Sequence, residues 1–179
     1  MSVYEKEDKT YVNLAKSHAL SILVDNQAGA LAKVVGMFSA RGYNIDSLTV
    51  ARVGTEKNIS RITIITSGTP MKIEQIKSQL GRIILVHKVV DLTSEGPYVA
   101  RELLFVKVKC KGEKRLEALR TADIFRAKVV DSTNQSFIFE LTGASEKLDA
   151  FISLMKELGL IELARTGAVA ISRGSSKIN

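Results

Sequence analysis

One cysteine and two histidines are all that this chain of 179 residues offers to thiol or imidazole chemistry. A single thiol, Cys110, excludes an internal disulfide, so a reduced compartment is the natural setting. Its place in an alternating apolar run predicts a buried small hydrophobe. His18 and His87 lie far in sequence from the cysteine and from each other, which gives a metal centre little to build on. No apolar run approaches the roughly 20 residues that span a bilayer. The segment Met1–Lys16 has no apolar stretch and mixes acids with lysines, so the expectation is no secretory signal, no membrane and a cytoplasmic location. Neither G-x-G-x-x-G nor G-x-x-x-x-G-K-[ST] occurs, and no G-x-S-x-G elbow is present. The acids are scattered, with no pair that stands out as an acid–base couple. These absences together favour a non-catalytic class over an enzyme, with no catalytic residue and no metal expected.

Charge is present but not concentrated. The formal net charge is +7. Residues 1–96 carry 12 basic and 9 acidic side chains, and residues 97–179 carry 14 and 10. So even a spread argues against a dedicated basic face for nucleic acid.

The apolar pattern organises what is there. Ala19–Asp25 reads as a strand, with Leu20, Ile22 and Val24 alternating with Ala19, Ser21 and Leu23. Gly29–Arg41 reads as a helix whose apolar stripe is Leu31, Val34, Val35 and Phe38, closed by Gly42. Ile45–Val53 and Ile59–Ser67 form a hairpin around Gly54, Lys57 and Asn58. Thr69-Pro70 starts a second helix on Ile73, Ile76 and Leu80, and Ile83–Leu92 is a fourth strand. Gly96-Pro97 marks a boundary. The order then repeats: strand Arg101–Lys111, helix Glu113–Ala122, strands Phe125–Ser132 and Ser136–Thr142, helix Ser145–Leu158, and a last strand Leu160–Ser172 broken at Gly167. Two βαββαβ units in tandem predict an α+β fold of two ferredoxin-like sandwiches. The expected layout is an arm 1–16, a first domain 17–95, a second domain 98–174 and a tail 175–179. The open faces of the two sheets need cover. Side-by-side pairing of the first strands of two copies would provide it, so a homodimer is expected.

One stretch stands out chemically. Leu20–Asn44 runs strand, turn, helix and a second turn ending in asparagine. The turn Asp25-Asn26-Gln27-Ala28-Gly29 opens a helix, where unpaired amides and the dipole favour a carboxylate. Gly29 lets a ligand approach the backbone, and Asn26 offers a donor and an acceptor to a zwitterion. A plain strand-to-helix turn capped by Asp25 or Asn26 would give the same sequence. Asn44 lies beyond the helix's far end, roughly 20 Å away at 1.5 Å per residue. One small ligand reaches both asparagines only if a second copy brings its Asn44 to the first copy's Asn26. Such a site would couple ligand binding to assembly. An RNA-binding module shares this strand and helix order but stacks bases on aromatics of its central strands. The first hairpin has none, and Phe137 with Phe139 is the one candidate pair in the second unit.

The residues LVDNQAGALAKVVGMFSARGYNIDSLTVA, TADIFRAKVVDST, GASEKLDAF and ARTGAVAISRG resemble the small regulatory subunits of acetohydroxyacid synthase (acetolactate synthase), over about Ser17–Gly174. The first unit is similar to an ACT domain, and the second to an ACT-like one. The resemblance implies a chain without cofactor of its own that binds a separate catalytic subunit carrying thiamine diphosphate, magnesium and FAD. It implies activation of that partner and feedback inhibition by valine, in some members by leucine or isoleucine, in branched-chain amino acid biosynthesis. Effector contacts are implied at Asn26, Gly29 and Asn44, with Ala28, Ala30, Leu31 and Ile45 as neighbours. A free-standing amino-acid sensor and an RNA-binding protein are the alternatives. The chain departs from the family at Phe125-Arg126-Ala127, where the family has Phe-Arg-Gly.

Overall fold

The computed structural model describes residues 16–53, 58–175 and 177–178; the arm 1–15 and the turn residues Gly54 and Lys57 lie outside the described residues. The first unit runs β1 (Lys16–Asp25), α1 (Ala30–Ala40), β2 (Ser47–Arg52), β3 (Ile59–Gly68), α2 (Pro70–Leu80) and β4 (Val86–Asp91). A helical turn, α3 (Leu92–Glu95), leads past Gly96-Pro97. The second unit runs β5 (Tyr98–Lys109), α4 (Glu113–Phe125), β6 (Lys128–Ser132), β7 (Ser136–Gly143), α5 (Ser145–Leu158), β8 (Leu160–Arg165) and β9 (Val169–Ser172). The strands form two antiparallel sheets, ordered β2-β3-β1-β4 and β6-β7-β5-β8, with β9 paired to β5. This is the doubled ferredoxin-like α+β architecture.

Each unit packs two helices on one sheet face. In the first, Leu20, Ile22, Val24, Ile62 and Ile64 meet Val34, Phe38, Ile73, Ile76 and Leu80. In the second, Leu104, Val106, Val108, Phe139 and Leu141 meet Ala118, Ala122, Leu148, Phe151 and Met155. Cys110 is buried in this second core. So are Phe137 and Phe139, with ring centroids 5.4 Å apart, which removes them as a platform for bases. Local signals behave as the sequence suggests. Thr69 caps α2 by accepting the amide of Lys72, with Pro70 at the first helical position. Gly42, at φ 62°, turns the chain after α1.

Several expectations need correction. The buried stripe of α1 is Ala30, Val34, Met37 and Phe38, while Leu31 is exposed. Apolar residues occupy two neighbouring arcs of this helix, and the arc with small Ala30 fits closer to the sheet. Leu92 leaves the fourth strand because Asp91 accepts the amide of Thr93 and caps α3. Phe125 ends α4 instead of opening a strand: Arg126 takes the left-handed conformation at φ 59°, and the amide of Ala127 returns to Ala122 O at 2.8 Å. The left-handed residue is thus Arg126, so alanine at 127 needs no glycine-like backbone.

The largest correction concerns sheet edges and faces. β1 is interior, bonded to β3 on one side and β4 on the other, so pairing of first strands between copies is closed off. The edges are β2 and β4. Nor is the first sheet's open face empty. Residues 98–101 of β5 pair with β9, and this ribbon together with Ile178 covers Ala19, Leu23, Ile65 and Val90. The expected last strand therefore splits around Gly167. β8 extends the second sheet, and β9 crosses to lie under the first.

Candidate functional site

The turn after β1 is held from three sides. Its backbone is fixed by Asp25 N to Leu85 O (2.9 Å) and Asn26 N to Asn58 O (2.7 Å). Asn26 Nδ2 donates to Asn58 Oδ1 at 3.0 Å, and Asn58 Nδ2 donates to Asn26 O at 2.6 Å. Asp25 Oδ1 sits 2.6 Å from His87 Nε2. Neither Asp25 nor Asn26 caps α1. The N-cap is Gly29, at φ 83°, and among the described residues no side-chain cap bonds the helix start. An L side chain is strained at that angle, so glycine here serves the backbone as well as access. The result is an exposed helix N-terminus without a side-chain cap, beside an asparagine whose orientation is set from across the sheet.

The far turn is equally ordered. Asn44 Nδ2 donates to Asp46 Oδ1 at 2.5 Å, and Asp46 Oδ2 accepts from Ser67 Oγ at 2.8 Å. Asn44 O accepts from Thr66 Oγ1 at 2.6 Å. Within one chain the structure brings Asn26, Ala28, Gly29 and Leu31 together at one end of α1, all exposed. It puts Asn44 and Ile45 at the other end, with Ile45 half-buried against the first core. Ala30 stands behind the turn: it is buried, and its amide bonds Gln27 O at 3.2 Å. Sequence reasoning missed Asn58, His87, Asp46, Thr66 and Ser67. All five are polar; Asp46 lies two residues from Asn44, and the other four lie across strand pairings whose register the sequence does not reveal, with an asparagine closing a hairpin turn as the one hint, for Asn58.

Among the described residues no cluster of three His, Cys, Asp or Glu side chains could hold a metal ion, and no helix is long and apolar enough to cross a membrane. His18 pairs with buried Asp91 at 2.8 Å, which ties β1 to the end of β4. A cleft of about 870 Å³ opens between the two units, bordered by Asp46, Leu48, Tyr98, Arg101, Glu102 and Arg165. Arg165 is bonded to Glu102, to Asp149 (2.6 Å) and to Ser145 Oγ (2.6 Å). Burial alone would lower its pKa, but the hydrogen bonds and charges of Glu102 and Asp149 prevail and hold it above the usual arginine value.

Comparison with known proteins covers both units. Residues 20–88 match the family described as "AHAS small subunit-like ACT domain", and residues 101–174 match "Small subunit of acetolactate synthase". The chain is 45% identical over 160 residues to the acetolactate synthase small subunit of Haemophilus influenzae, covering 89% of this chain and 97% of that one. It is 42% identical over 156 residues to the acetolactate synthase isozyme 3 small subunit of Escherichia coli, covering 87% and 94%. Among solved structures it is similar to the acetolactate synthase small subunit of Thermotoga maritima, with a TM-score of 0.83 and 36% identity over 90% of this chain and 99% of that one.

Proposed function

This chain belongs to the acetolactate synthase small-subunit family, and we propose that it is the non-catalytic regulatory partner of a separate, cytoplasmic catalytic subunit. That partner holds the thiamine diphosphate, magnesium and FAD of the reaction. This chain raises its activity and, on binding L-valine, lowers it again. The observation that carries this reading is the match of both units, in order, to small subunits of nearly the same length.

The geometry supports an amino-acid effector. The exposed start of α1 suits a carboxylate, since its amides and the helix dipole favour negative charge there. Asn26 adds a polar anchor, and exposed Leu31 an aliphatic wall. Asn44 completes the site from a second copy. The edge strand β2, which carries Gly167 and Ala168 against its residues 47–49, suits that pairing. It starts three residues after Asn44 and ends just before Val53, whose amide bonds Ile59 O next to Asn58 and Asn26. Antiparallel pairing of β2 with its copy therefore brings one chain's Asn44 toward the other's Asn26. A homodimer formed in this way makes the site depend on assembly.

The test is acetolactate formation by the matching catalytic subunit, with and without this chain, across a valine titration. Stimulation that valine reverses is expected. Asn26→Ala or Gly29→Asp should abolish the inhibition and leave the stimulation. Equal loss of both effects would mean that these residues maintain the fold instead.

A further inference from the structure

Gly167 sits on β2 without clearance. A Cβ built there would lie 2.5 Å from Thr49 Oγ1 and 2.6 Å from the backbone oxygen of Leu48. Its φ lies outside the left-handed region, so glycine is demanded here by space and not by backbone angle. The next residue, Ala168, is buried and donates its amide to Ser47 Oγ at 2.9 Å. Two residues of the second unit thus grip Ser47-Leu48-Thr49 of the first.

Both flanks of this grip are stiff. On one side, Asn44 is three residues before Ser47. The intervening Asp46 is fixed to Asn44, to Ser67 and, through its amide, to Ile65 O at 2.8 Å. On the other side, Thr166 exchanges two bonds with Leu103, each 3.0 Å, and Arg165 ties β8 to Glu102 on β5 and to Asp149 and Ser145 on α5. Direct contacts therefore run unbroken from Asn44 to the middle of the second unit. Beside them the units are parted by the cleft between Asp46 and Arg165, so this seat joins them along β2 itself, while the β5–β9 ribbon joins them under the rest of the first sheet.

We propose that the seat of Gly167 on β2 carries effector occupancy at Asn44 to the second unit; this rests on the reading of Asn26, Gly29 and Asn44 as valine contacts. A ligand that draws on Asn44 displaces the start of β2. A close-packed contact passes a displacement on where a loose one would absorb it. Gly167 is a positioning residue in this scheme and touches no ligand.

Two variants test it in the full chain, assayed with the matching catalytic subunit for stimulation and inhibition, and alone by calorimetry for valine. Gly167→Ala forces a methyl group into occupied space. Ser47→Ala removes one hydrogen bond and adds nothing. Gly167→Ala should keep stimulation and shift the valine Kd by less than about threefold, while the activity surviving saturating valine rises about fivefold or more. Ser47→Ala should fall between it and the wild type, and decides alone if Gly167→Ala does not fold. Wild-type inhibition in the folded variants overturns the inference and leaves the valine reading standing. Joint loss of stimulation and inhibition also overturns it, because the seat would then only hold the fold. A wild-type chain that binds no valine removes the valine reading and the inference together.

Discussion

Strand β1 is buried without a break from Ala19 to Val24, whereas its counterpart β5 alternates: Leu104, Val106 and Val108 are buried, and Phe105 and Lys109 are exposed. The two strands hold the same place in the same topology. What differs is cover. The first sheet has helices on one face and the β5–β9 ribbon with Ile178 on the other. Among the described residues the second sheet has helices on one face only. Burial of a sheet face is thus set by which segment returns to it and not by the fold alone.

The sharpest way to break this comparison is to truncate one side chain on each open face. Leu23→Ala removes a side chain 7% exposed from the covered face and should cost about 2–5 kcal/mol. Phe105→Ala, at 38% exposure, should cost about 1 kcal/mol or less. Urea unfolding of both variants measures the difference. Equal losses would mean that the second face is also covered in solution. A smaller effect tests the cover itself. Ile178→Ala should lower stability by about 1.5 kcal/mol, near the low end for burying such a side chain. Hydrogen exchange should report that loss at β1 and β4, and leave β6 and β7 unchanged. The smallest effect belongs to the uncovered face, where Lys107 pairs with Glu162. The hydrogen bond and charge of Lys107 hold the Glu162 carboxyl below its ordinary value of 4.5. A carboxyl depressed in the folded state adds stability above its unfolded pKa, and that contribution disappears as pH falls through the folded one. Glu162→Gln should therefore flatten the acid side of the stability profile slightly below about pH 4.5, and salt should erase the difference.

The sequence discloses the order of elements because apolar spacing switches cleanly between strand and helix periods, and because Thr69-Pro70 and Gly42 act locally. It does not disclose where Val169–Ser172 goes. A four-residue apolar segment after a glycine fits either sheet, and the choice is made by tertiary contact with Tyr98 and Ala100. On α1 the apolar spacing finds Val34 and Phe38 but picks Leu31 and Val35 where Ala30 and Met37 are buried, because Leu31 and Val35 are as apolar as Met37. At the candidate site, the separation of Asn26 from Asn44 follows from helix length alone. The partners that orient them do not. Asn58 meets Asn26, and Thr66 and Ser67 reach Asn44 and Asp46, only through strand pairing.

The ribbon under the first sheet also bears on how the chain is made. Ala19, Leu23 and Val90 are complete by residue 90, but Ala170, which covers them, is added about eighty residues later. At roughly 5–20 residues per second this leaves an apolar face uncovered on the ribosome for about 4–16 s. The first unit can close its helix side during synthesis, yet its second face waits for the end of translation.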